Sequence, residues 1–139
     1  MKIYFACSIT GGREFESIYG ALTEALLADG HHVPTAHLAR PTVVEMETRV
    51  PAREVYERDV QWISEADALV AEVSVPSHGV GYEVGLALGA GKPVLCLAQQ
   101  DRKVSKMITG NPDSHLTTKT YGTASEAVQL LREYLRAFE

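Results

Sequence analysis

Five short apolar runs, several rich in β-branched residues and separated by stretches of helical period, constrain this 139-residue chain more than any other feature. They lie at residues 2–6, 32–35, 68–73 and 93–97, with a shorter candidate at 119–121. Runs of this length read as strands, and strands alternating with helices imply a parallel sheet covered on both faces. Right-handed crossovers then predict an α/β architecture: a Rossmann-like, doubly wound parallel sheet of about five strands with helices on both faces. The length suits one domain over residues 1–139, large enough to bury about two-thirds of the surface of its unfolded chain.

The helical stretches supply the covering layers. Phe15, Ile18, Tyr19, Leu22 and Leu26 recur at helical spacing with Glu14, Glu16 and Glu24 turned outward, and this helix should end near Gly30. The last helix opens on Thr123-Ala124-Ser125-Glu126, a capping-box pattern, and carries Ala127, Val128, Leu131, Leu135 and Phe138 on one side. Residues 38–50 have no clear period and contain Pro41, with Pro51 following, so they read as a loop or short helix able to move over a ligand.

Composition excludes several function classes. Thirteen basic against 18 acidic residues give a net charge of -5, so no broad positive field exists to hold a nucleic-acid backbone. An anionic ligand would have to be captured locally, which favours a small molecule. The two cysteines, Cys7 and Cys96, lie in or at the end of apolar runs and read as small hydrophobes. There is no signal-peptide pattern and no 18-residue apolar span, so the expected compartment is the cytoplasm, with no membrane partner.

In a doubly wound sheet, ligands bind beyond the carboxyl ends of the strands, where the strand order reverses. That rule selects residues 7–13, 35–40 and 74–83. "CSITGGR", at 7–13, is a hydroxyl and glycine loop that either cradles an anion or simply turns the chain tightly into a helix. It lacks the G-x-G-x-x-G of dinucleotide binders and the G-K-[ST] of phosphate-binding NTPases, so neither NAD nor ATP is indicated. In "VSVPSHGVGYE", at 73–83, Ser77 and Gly79 offer a hydroxyl and an open N–H for a phosphate or sugar oxygen. Glu83 is expected in the first turn of the following helix, where the dipole favours an ionised carboxylate by about 0.3–1 kcal/mol. There it is either a nucleophile or base in a cleft, or a surface complement to the dipole.

A second carboxylate, Asp59, is more telling. On a helix over residues 52–66, Val55, Tyr56, Trp62, Ile63 and Ala66 share one arc, and Asp59 lies in its middle. Glu54, Glu57, Gln61 and Glu65 lie opposite. An unpaired charge on an apolar face is costly, so either a cation such as Arg53 or Arg13 pairs with Asp59 or it faces a ligand cleft with a shifted pKa. Two such carboxylates suggest glycosyl transfer, one attacking the anomeric carbon and the other assisting the leaving group. The five histidines lack i,i+4 pairing or a cysteine partner, so no metal is expected. His31 and His32 read as a solvated turn, whereas His37 and His78 could line the cleft. Gly81, Gly85 and Gly89 leave one helix face without side chains, fit for close packing against the sheet or a second subunit.

Three segments together, "IYFACSITGGR", "YERDVQWISEADALVAEV" and "PSHGVGYEVG", resemble the 2'-deoxynucleoside 5'-monophosphate N-glycosidases, relatives of the nucleoside 2-deoxyribosyltransferases. The likeness runs over residues 2–134. It implies hydrolysis of an N-glycosidic bond without a cofactor, with Glu83 as the nucleophile, Asp59 as its acidic partner and Tyr4 near the sugar. It also implies that Ser8, Ile9, Gly11, Gly12, Arg13, Ser77 and Gly79 take the 5'-phosphate, that Ser105 reaches it across a homodimer interface, and that His37 lies near the active site. Thr10 stands where animal members carry arginine, which removes one cationic phosphate contact. On this reading Glu83 is ionised and Asp59 holds a proton. The alternatives are a nucleoside 2-deoxyribosyltransferase, a CMP-type ribonucleotide N-hydrolase, and a nucleotide-binding module without catalysis.

Overall fold

The computed structural model describes residues 1–9 and 14–139. Along the chain come β1 (Ile3–Ala6), α1 (Glu16–Ala28), a 3-10 turn (Ala36–Ala39), α2 (Val43–Thr48), α3 (Ala52–Glu65) and β2 (Ala68–Glu72). There follow α4 (His78–Gly89), β3 (Val94–Gln99), α5 (Lys106–Thr109), β4 (Leu116–Tyr121) and α6 (Ala124–Arg136). The strands form one parallel sheet in the order β1-β2-β3-β4, with Tyr4 opposite Leu69 and Val70 opposite Leu95.

The sheet has four strands rather than about five. The expected strand at 32–35 contributes a single parallel bridge, His32 to Lys2, on the side of β1 away from β2. Pro34 has no N–H with which to extend a ladder, and the chain turns into the 3-10 segment. Thr35 replaces the missing ladder contact with its side chain: its buried Oγ1 accepts from the Phe5 N–H at 2.9 Å. The last strand is longer than expected, starting at Leu116.

Strand alternation divides the core in two. Ile3, Phe5, Val70, Leu95 and Leu97 face α1 and α6, where Leu22, Leu26, Leu131 and Leu135 bury themselves. Tyr4, Ala6, Leu69, Ala71, Cys96 and Ala98 face the other layer, made by α3 and α4. Each fully buried leucine is worth about 1.5–3 kcal/mol, so both faces contribute to stability. The thiols of Cys7 and Cys96 are not joined, and burial pushes that of Cys96 up to about 12.

Local chemistry sets the helix ends. α1 stops where Gly30 adopts φ 83° and His31 N–H reaches back to the Leu26 carbonyl at 3.0 Å. α6 starts where Thr123 accepts from the Glu126 N–H at 3.2 Å and Glu126 accepts from the Gly122 N–H at 2.7 Å. α3 departs from expectation: Ile63 is buried, but Tyr56 is 55% exposed, its ring set edge-on to that of Tyr82. The glycine face of α4 does not pack on the sheet either. Val80, Val84, Ala87 and Leu88 do so, and a Cβ on Gly81, Gly85 or Gly89 would meet nothing within 4 Å.

One buried charge was not singled out from the sequence. Glu72 closes β2 with no exposed surface, accepting from the Ser74 hydroxyl and from the Tyr121 hydroxyl at 3.0 Å. Ser74 Oγ in turn accepts from the Gln99 N–H at 2.8 Å. The ends of β2, β3 and β4 are thereby tied together just before the turn into α4.

Candidate active site

The residues of interest sit on the α3/α4 side of β1. Alternation turns Tyr4 onto this face, where it is wholly buried and its hydroxyl donates to Glu83 Oε2. Burial, then the charges of Glu83 and Asp59, hold that hydroxyl well above its ordinary pKa, so it remains a donor.

Glu83 belongs to the second turn of α4, not the first. The helix begins at His78 because the Ser77 side chain caps it, accepting from the Val80 N–H at 3.4 Å, so Gly79 and Gly81 lie inside the helix. The dipole's effect fades within the first turn, so it does not govern this carboxylate. Burial does: it pushes Glu83 up to about 7, with Asp59 adding to the rise and Tyr4 and Arg58 opposing it. The expectation that Glu83 is held ionised by its helix end is therefore corrected.

Asp59, on α3, lies close enough to Glu83 and Tyr4 for its charge to raise the pKa of both. Among the described residues its cation is not Arg53, which pairs with Glu57 on the surface, but the adjacent Arg58, whose Nε donates to Asp59 Oδ1 at 2.9 Å, and Arg13 lies outside the described residues. Burial raises the Asp59 carboxyl above its usual range while Arg58 pulls it down. Arg58 Nη2 also reaches Glu47 Oε1 at 3.0 Å, and His37 Nε2 meets the same oxygen at 2.9 Å. Trp62 backs this group, with the Arg58 guanidinium 4.9 Å from its ring centroid and the His37 ring set edge-on to it. Arg58 and Glu47 were missed from sequence. "ERD" carried the first signal, but Glu47 lies in an unpatterned stretch.

The remaining candidates fall in three groups. Ser8 is buried at the end of β1 and Ile9 is partly buried, while Thr10, Gly11, Gly12 and Arg13 lie outside the described residues. Gly79 presents its open side to the nucleophile candidate: a Cβ there would stand 3.8 Å from Glu83 Oε1. Ser77 and Ser105 line a groove of about 830 Å³ between α4 and the segment around α5, together with exposed His78; Tyr4, Asp59 and Glu83 do not. Ser105 is exposed and accepts from the Met107 N–H at 3.2 Å at the start of α5. His31 lies 3.4 Å from the amino terminus through Nδ1, away from this site. Among the described residues no cluster of three or more His, Cys, Asp or Glu could hold a metal ion.

The arrangement joins a carboxyl that titrates near neutrality, a neutral phenol donor and a second carboxyl whose charge is tempered by one guanidinium. Two carboxyls in unequal surroundings are suited to separate nucleophile and acid roles.

Comparison with known proteins gives the family and the fold. The profile of the nucleoside 2-deoxyribosyltransferase family matches residues 3–131. The chain belongs to that family. A relative from Methanosarcina mazei, provisionally named 2'-deoxynucleoside 5'-phosphate N-hydrolase 1, is 38% identical over 136 residues, 98% of this chain and 84% of its own. The 5-hydroxymethyl-dUMP N-hydrolase of mouse is 39% identical over 145 residues, covering 99% of this chain and 81% of its own. Among solved structures, the CMP N-glycosidase BcmB of Clostridium botulinum superposes with a TM-score of 0.74 at 22% identity, covering 96% of this chain and all of its own. At that identity the likeness speaks for the fold, an α/β parallel sheet common to the family.

Proposed function

We propose that the chain hydrolyses the N-glycosidic bond of 2'-deoxynucleoside 5'-monophosphates, giving the free base and 2-deoxyribose 5-phosphate. The observation that carries this reading is the part-buried Tyr4–Glu83 hydrogen bond with Asp59 close enough to raise the Glu83 pKa. Ionised Glu83 attacks the anomeric carbon as the bond to the base breaks, forming a glycosyl-enzyme, and Asp59 delivers a proton to the departing base. Water then adds at the same carbon, releasing the sugar phosphate and restoring the Glu83 carboxylate, while its proton returns to Asp59. Tyr4 orients Glu83 and borders the 2' position of the sugar.

Ser8, Ile9, Gly11, Gly12, Arg13, Ser77 and Gly79 would take the 5'-phosphate through backbone N–H groups, hydroxyls and one guanidinium, with His37 at the edge of the site. The names of relatives 38% and 39% identical support the substrate class. Incubation with dGMP, dCMP and the matching nucleosides tests it: release of base from the monophosphates alone is expected, and equal turnover of both would overturn the phosphate assignment.

The family's name supports a second reading, transfer of deoxyribose to another base. Adding a second free base separates the two, since a transferase makes a new nucleoside. A CMP-type hydrolase would release cytosine from CMP, and a module without catalysis would bind nucleotide and return it unchanged.

The working unit in this reading is a homodimer in the cytoplasm, with Ser105 of one protomer completing the phosphate site of the other. Support comes from the open glycine face of α4 and from Tyr82 and Met107, 59% and 83% exposed, beside the groove that holds Ser77 and Ser105. Among the described residues, no helix is long and apolar enough to cross a membrane.

A further inference from the structure

Arg58 and Glu47 have no part in the chemistry described so far. An arginine facing a carboxylate usually donates two parallel bonds from its planar fork. Here the fork is divided: Nε donates to Asp59 Oδ1 at 2.9 Å, and Nη2 goes to Glu47 Oε1 at 3.0 Å. Both carboxylates are largely shielded, with side chains 19% and 11% exposed, and Arg58 itself is 24% exposed. His37, from the 3-10 turn, reinforces the arrangement by meeting the same Glu47 oxygen at 2.9 Å. Glu47 is thus fixed from two sides, and the Trp62 ring backs the guanidinium.

We propose that Glu47 is a positioning residue for the reaction: by holding one arm of the Arg58 guanidinium it keeps Arg58 from closing on Asp59 with both arms, leaving Asp59 Oδ2 to face the leaving base. The inference rests on the reading of Asp59 as the acid partner. Without the Glu47 charge, Arg58 rotates onto Asp59 as a two-bond ion pair. Asp59 is then locked in its ionised form and turned away from the base. The same contact tethers the segment around α2 to the catalytic helix α3, so the wall of the site and the state of its acid are set by one guanidinium.

The charges around Asp59 fix the signs. From its own helix comes Arg58, from α2 Glu47, from the 3-10 turn His37, from α4 Glu83 and from β1 the hydroxyl of Tyr4. Removing the Glu47 charge takes away a neighbour that favours protonated Asp59, whereas removing the Arg58 charge takes away the one that most opposes it. A mere packing role for Glu47 predicts no such opposition.

The test compares Glu47→Gln, which keeps the shape and an acceptor oxygen, with Arg58→Gln and Asp59→Asn, in the full chain. Two readouts are taken: base release from a deoxynucleoside monophosphate, and the titration midpoint of the Asp59 side-chain carbonyl carbon by NMR. Glu47→Gln should lower kcat about tenfold with KM little changed, a fraction of what general acid catalysis contributes, and move the Asp59 midpoint down. Arg58→Gln should move it up. A Glu47→Gln protein with wild-type kcat and midpoint overturns the inference, as do two variants shifting the midpoint in the same direction. If Asp59→Asn itself retains full activity, the acid assignment beneath the inference falls instead, and the two failures are distinct.

Discussion

Glu83 is half-buried beside the hydroxyl of wholly buried Tyr4, and its pH behaviour follows from that setting. Its carboxyl is pushed up to about 7 by burial, so a mechanism that needs it ionised should lose kcat/KM as pH falls below about 7. Tyr4 lowers that value by donating to Glu83. Tyr4→Phe removes the donor, so the acidic limb of the pH–rate profile should move to higher pH, with base release at pH 7 falling about fivefold for a shift of one unit. A limb that stays where it was would show that the phenol does not tune Glu83. The same burial makes a stability prediction. The folded-state pKa lies above the unfolded value, so folding favours the protonated form, and stability is lost as pH rises through the interval from 4.5 to about 7. Glu83→Gln has no charge to bury and should be more stable than wild type at pH 8, by an amount approaching about 3 kcal/mol for a shift of that size, with the gap closing by pH 5. Urea unfolding at the two pH values measures it.

At the scale of elements, the buried Glu72 lock decides how the turn into α4 is held. Glu72→Ala would leave the hydroxyls of Ser74 and Tyr121 without their acceptor inside the protein, a loss of about 2 kcal/mol, whereas Glu72→Gln keeps an acceptor oxygen and should lose less. Urea midpoints of both variants check this, and equal losses would mean that the charge, not the acceptor, matters there. Elements whose limits rest on local chemistry were legible in the sequence. Gly30 ends α1 and Thr123 with Glu126 starts α6 because each cap is made by residues within a few positions of one another. The run at 32–35 reads as a strand because of its apolar residues, while Pro34 and the side-chain bond of Thr35 to Phe5 end the ladder after one bridge. The helix around Glu83 was expected to start later because glycines signal turns, yet Ser77 caps it earlier and carries Gly79 and Gly81 into its first turn. Glu47 was illegible for another reason: its position is set by His37 and Arg58, across a segment with no period of its own. Tyr4 in turn was identified by family resemblance, since nothing in a strand's pattern reveals that its hydroxyl meets a carboxylate 79 residues away.

At the scale of the whole molecule, the proposed homodimer would make the glycine face of α4 a link between assembly and activity. Gly81, Gly85 and Gly89 point away from the sheet, and a side chain at Gly85 meets nothing within 4 Å in the protomer. Three glycines in one helix lower its intrinsic stability by about 1 kcal/mol each relative to alanine, a cost without return in the isolated protomer. In the proposed dimer, close approach by a second copy would supply the return, because a bare backbone lets another helix lie against it. The groove beside this face carries Ser77 and Ser105, so a partner seated there would bring its own Ser105 toward the phosphate end of the cleft. Gly85→Leu separates the effects. Within the protomer the leucine has room and a better helix propensity, so unfolding should occur at equal or higher urea concentration. Between protomers of the proposed dimer it would hold the helices apart, so light scattering should report a dimer for the parent chain and a monomer for the variant. Deprived of the partner's serine, that monomer should show a raised KM for deoxynucleoside monophosphates, while the Glu83 limb of its pH–rate profile stays near 7, since Tyr4, Asp59 and Arg58 all come from the same chain. A Gly85→Leu protein that remains dimeric with unchanged KM would move the interface to another face and leave the glycine stripe without a function.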